Sequence, residues 1–162
     1  MFKKIAFAAP LAVLTLSSSM AFAVEPISTS INVRAFIPTS LFNAAPQNPN
    51  FGQDEVMTQL GSGDLSTVDA VFNLKHTDPK GAINALTEGD VALYNGRDSI
   101  PLTVSIGSVE VDENTKEIVN ETESVAGVQR TLRIKTTTPP TATQTGDYAG
   151  SFAVVFEPVL KP

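Results

Sequence analysis

The chain has one histidine, His76, at the end of an alternating run and just ahead of Asp78-Pro79. Any acid–base or metal chemistry based on imidazole would rest on that single side chain, and its place beside a turn predicts an exposed surface residue. There is no cysteine to serve as nucleophile or soft ligand, and no serine stands in a G-x-S-x-G elbow. The glycines of Gly61-Ser62-Gly63-Asp64 lack the Gly-Lys-Ser/Thr that completes a phosphate loop, so they read as turn glycines. Carboxylates gather at Asp54-Glu55 and at Glu110, Asp112, Glu113 and Glu117, without the order of oxygen donors and the fixed glutamate of a calcium loop. They read as solvated acidic loops. Asn120-Glu121-Thr122 matches a glycosylation sequon too short to carry weight, and Tyr94 and Tyr148 stand too far apart in sequence to define a sugar-stacking platform. These residues imply neither catalysis, cofactor nor metal.

The elements that hold them are strands. Apolar residues recur at period two in Ile27 to Ile37, Val56 to Leu60, "TVDAVFNLKH", "IPLTVSIG", "RTLRIK" and "YAGSFAVVF", and no helical period extends beyond two turns. Turn chemistry separates the runs at Gly61 to Asp64, Asp78 to Gly81, Asn95-Gly96 and Gly146-Asp147. Short strands with such punctuation on one domain-sized chain predict an all-β, immunoglobulin-like sandwich, with a closed barrel as the competing architecture. In the last run Tyr148, Phe152, Val154 and Phe156 form the larger face, which should turn to the core. Pro158 is expected to end it, leaving no further strand to pair beyond.

Residues 1–23 carry Lys3 and Lys4, an apolar run broken by Pro10, and Ala21-Phe22-Ala23, the pattern of a secretory signal cleaved before Val24. Removing those two lysines leaves 9 basic residues of the 11, against 17 acidic, a net charge of −8. With no basic cluster, nucleic acid and anionic membranes are poor partners. An exported chain without cysteine must be held by packing or by other chains.

The cleanest alternation, Ile27, Ile31, Val33, Ala35 and Ile37, lies at the start of the expected mature chain, where chains ordinarily fray. A strand with one apolar face can add to the exposed edge of another sheet, its backbone supplying hydrogen bonds and its alternate side chains filling pockets. Burying the four largest of these side chains is worth on the order of 6 to 12 kcal/mol before ordering costs. The pattern is equally compatible with an edge strand paired within its own domain, as in a monomeric periplasmic or secreted β-sandwich binding module.

Five segments, "VEPISTSINVRAFIP" at 24–38, "VMTQL" at 56–60, "IPLTVSIG" at 100–107, "SVAGVQRTLRIK" at 124–135 and "TATQTGDYAGSFAVVF" at 141–156, together resemble the major pilins of class 5 (alpha) chaperone–usher fimbriae. These are typified by colonization factor antigen I and the coli surface antigens. The resemblance implies an incomplete immunoglobulin fold (38–162) whose missing strand leaves an apolar groove, and an N-terminal donor strand (24–37). Ile31, Val33, Ala35 and Ile37, closed by Pro38, match the donor strand; Tyr148, Phe152, Val154 and Phe156 match the strand bordering the groove. The implied function is a structural fimbrial subunit on the bacterial surface, polymerised by donor-strand exchange and supporting adhesion. Its implied partners are identical subunits, a periplasmic chaperone, an outer-membrane usher and a tip adhesin that carries receptor binding.

Overall fold

The computed structural model describes residues 41–162; the signal and the alternating residues Ile27, Ile31, Val33, Ala35 and Ile37 lie outside the described residues. In chain order the elements are β1 (Phe42–Pro46), β2 (Val68–His76), β3 (Gly81–Glu88), β4 (Ala92–Tyr94), β5 (Ser99–Ile106), β6 (Val109–Val111), β7 (Lys116–Val119), α1 (Glu121–Ala126), β8 (Val128–Thr136) and β9 (Ala153–Leu160). One sheet runs β1-β2-β8-β5-β4, with β6 also paired to β5; the other runs β7-β3-β9, and every pair is antiparallel.

The alternation read from sequence becomes the inner faces of these sheets. On β2 the residues Val68, Ala70, Phe72, Leu74 and His76 are buried while Asp69 and Lys75 face solvent. On β5, Leu102, Val104 and Ile106 turn inward, and Leu132 of β8 lies beside them. From the second sheet Ile83, Ala85 and Val119 meet this face, forming one apolar cluster with Ala70, Phe72, Leu74, Val104, Ile106 and Leu132. That is a sandwich, because neither sheet could bury its apolar side alone.

Turns and caps follow local chemistry. The Asp78 carboxylate accepts from the Lys80 N–H at 2.9 Å and Asn95 Oδ1 from the Arg97 N–H at 3.0 Å, tightening the predicted turns. Helix α1 is short; Asn120 caps it by accepting from the Glu123 N–H at 3.0 Å. Gly127 ends it at φ 85°, a conformation glycine adopts without a Cβ penalty.

Three expectations need correction. Val56 to Leu60 is not a strand: only Gln59 forms an isolated bridge, to Leu65, and Val56 is 74% exposed. The last strand begins at Ala153, not near Tyr148, and runs through Pro158 to Leu160. His76 is buried at 5% exposure, contrary to a surface residue.

Candidate functional site: the seam between two sheet edges

Among the described residues, β1 pairs only with β2 and β9 only with β3, so each is an edge strand of its own sheet. The sandwich brings these edges to the same side of the core. Phe42 and Ala44 from β1, and Phe152, Val154 and Phe156 from the last segment, are partly buried against the central cluster. Phe72 joins the two sides: its ring stacks on Phe156 at 5.1 Å and meets the edge of Phe51 at 5.8 Å. At the far end Leu160 remains 63% exposed.

The backbone at these edges can be assigned from register. The Lys161 N–H donates to the Lys80 carbonyl at 2.9 Å, continuing the β3–β9 pairing by one residue. Hydrogen-bonded and non-hydrogen-bonded pairs alternate in an antiparallel ladder, so Val159, Glu157 and Val155 bond to β3. Val154, Phe156, Pro158 and Leu160 turn their polar groups outward. On β1 the Thr77 N–H reaches the Leu41 carbonyl and the Gln47 N–H reaches the Val71 carbonyl, both at 2.8 Å. By the same alternation Phe42, Ala44 and Pro46 present their backbone outward. Proline therefore sits in β9 at no cost to its own sheet, which is why the strand continues past it.

The end of β9 is tied down across the sheet. Lys161 Nζ lies 2.7 Å from Glu117 and 2.8 Å from Glu121, linking it to β7 and α1. Its hydrogen bonds to Glu117 first and Glu121 second raise the ammonium pKa, and the bond from Lys161 lowers that of Glu121. Beneath this corner Ser124 Oγ, fully buried, donates to the Gly81 carbonyl and is 3.0 Å from the Glu121 carbonyl. His76 closes the same end: Nδ1 accepts from the Asp78 N–H at 3.2 Å, and the ring lies 6.2 Å from Phe42. A Cβ at position 81 would fall 2.0 Å from His76 Nδ1, so only glycine lets the two strands meet there.

Of the four residues expected to border the groove, Phe152, Val154 and Phe156 pack on the core together, with Phe152 just ahead of the strand. Tyr148 does not join that cluster. Its neighbour Ala149 exchanges hydrogen bonds with Tyr94 of β4, at 2.8 and 3.1 Å, which carries this segment to the other sheet. The segments of the two tyrosines are thus paired, and the Tyr148 hydroxyl is buried without a hydrogen-bond partner. Sequence reasoning missed β1, the edge strand of the facing sheet: "FNAAP" is short, ends in proline and has little apolar contrast between its two faces.

The acidic residues form no comparable site. Asp112 accepts from Lys116 Nζ at 2.7 Å and from the Asn114 N–H at 2.9 Å, bonds that lower its pKa. Among the described residues no three His, Cys, Asp or Glu side chains are grouped to hold a metal.

The apolar interior of this two-sheet sandwich thus reaches the surface between two edge strands, the arrangement expected of a pilin-type subunit. The CS1 type fimbrial major subunit family matches residues 27–157, and the chain belongs to that family. It is a structural subunit of a surface fimbria built from copies of itself. Its fold is similar to the CooA pilin subunit from enterotoxigenic Escherichia coli, with a TM-score of 0.58 and 13% identity, over 73% of this chain and 87% of that one. No curated protein sequence matches the chain. A self-contained secreted binding module is not favoured by these relations.

Proposed function

We propose that the subunits join by donor-strand exchange, residues 24–37 of one copy lying in the seam between β1 and β9 of the next. The observation that carries this reading is the pair of edge strands, from different sheets, flanking the half-buried Phe42, Ala44, Val154 and Phe156. An apolar strand inserted there would cover those side chains and bond to both edges. Ile27, Ile31, Val33, Ala35 and Ile37 are the inserted face. Before assembly the seam is covered by a periplasmic chaperone; an outer-membrane usher then exchanges it for the next subunit's strand, and a separate tip adhesin carries receptor binding. Export through the periplasm uses the signal at 1–23.

The test replaces Ile31, Val33 and Ile37 with aspartate in the full chain and follows fibre formation by electron microscopy and by ladders of unheated polymer on gels. Donor exchange predicts loss of polymer, with the triple variant left as subunits that a free peptide of residues 24–37 stabilises against thermal unfolding. Normal fibres from the triple variant would overturn the reading.

A further inference from the structure

Each rim of the seam carries one proline at an outward position, and the two stand at neighbouring heights. Pro46 pairs with Phe72, and Phe72 stacks on Phe156, so Pro46 and Phe156 face one another across the seam. Two residues along each strand toward the β2–β3 turn stand Ala44, paired with Leu74, and Pro158, paired with Ile83. At the first height β9 offers both an N–H and a carbonyl, and β1 only a carbonyl. At the second the roles are reversed. Beyond the first height, away from the turn, Val154 again offers both groups on β9, at a point where β1 has already ended.

A proline on a strand edge removes a donor and sets its ring carbons where a neighbouring carbonyl would approach, so a strand cannot pair there at full closeness. We infer that Pro46 and Pro158 set the path, from one rim to the other, of the strand the seam receives, namely residues 24–37 of a second copy. That strand bonds fully to β9 at Val154 and Phe156, then passes to β1 at Ala44, changing rims between the two prolines. β1 and β9 run in opposite directions past the seam, so the incoming strand is parallel to one rim and antiparallel to the other. The prolines therefore decide which rim the strand can bond to at each height, while its register along the seam is left to the side chains that fill it.

This inference rests on donor-strand exchange, and its test separates the two. Fibres are assembled from the full chain carrying Pro46→Ala or Pro158→Ala, each restoring one outward N–H without touching the subunit's own ladder. Val154→Pro removes one, and is read against Val154→Ala, which keeps the N–H but loses the same packing on the core. Dissociation of the junctions in denaturant is timed, and exchange of the new amides is followed in the intact fibre. One added hydrogen bond slows dissociation roughly twofold to tenfold, with the amides at 46 and 158 becoming protected, and Val154→Pro accelerates it to a similar degree. Unchanged lifetimes in all three variants, with freely exchanging amides at 46 and 158, overturn the assignment of the rims. If Ile31→Asp also leaves assembly intact, donor exchange itself falls; if Ile31→Asp abolishes assembly, only the role of the prolines does.

Discussion

Truncating Phe72 to alanine is the sharpest test of how the two sheets are held together. Its side chain is only 7% exposed and touches Phe156 from the opposite sheet and Phe51 from the preceding loop. Deleting a buried phenylalanine side chain costs about 3–5 kcal/mol, the lost transfer energy plus the cavity left behind. For a domain of this size, that lowers the melting temperature by roughly 6–20 °C. There is no tryptophan and only two tyrosines, so far-UV circular dichroism, with urea and thermal melts, is the suitable assay. Phe156→Ala and the double variant complete a cycle. The stacked rings should show a coupling of about 0.5–1.5 kcal/mol beyond their separate burial. Loss of less than about 1 kcal/mol in Phe72→Ala, or additive single effects, would refute the claim that this ring bridges the sheets.

Three further outcomes are expected. Asn120→Ala removes the cap of α1 and should cost about 1 kcal/mol in urea titrations, with Asn120→Asp retaining most of it. Ser124→Ala leaves the Gly81 carbonyl without its buried donor and should cost about 1–3 kcal/mol, with faster amide exchange across the β2–β3 turn. Lys161 holds the Glu121 carboxyl below its ordinary value of 4.5, so the clamp's contribution is present above that value and lost as pH falls through the lowered one. Acidification should therefore speed amide exchange at the end of β9, and Lys161→Met should abolish that pH response.

The strands with one buried and one wet face were legible in the sequence. Val68 to His76 and the inward residues Leu102, Val104 and Ile106 lie as their alternation predicts. β3 was not, because Gly81, Ala82 and Ile83 are all buried in the central strand of its sheet, which erases the period-two contrast. "VMTQL" alternates without packing; the loop holding it is secured by polar bonds, such as the Thr58 N–H to Ser66 Oγ at 2.9 Å. The run from Tyr148 to Phe156 keeps one side-chain period although its backbone changes partner, from β4 at Ala149 to β3 at Ala153, and periodicity carries no record of partners. His76 stands beside a turn, as its sequence neighbours imply, but Phe42 crosses over it and a glycine opposite makes room, facts that only tertiary pairing reveals. That Phe152, Val154 and Phe156 turn toward the core was visible in their alternation; that β1 is the edge strand of the facing sheet required the topology.

The outward prolines also bear on the life of a subunit before it is incorporated. Bare sheet edges are templates for indiscriminate stacking into cross-β aggregates, which need several consecutive backbone pairs along one edge. On β1 the proline follows two residues after Ala44, and on β9 two residues after Phe156, so neither edge alone offers a long uninterrupted ladder. Two subunits meeting edge to edge by chance gain little. A lone edge is thereby guarded against sticking to its own kind, whereas a strand lying between both edges, as donor exchange proposes, can bond to one wherever a proline blocks the other.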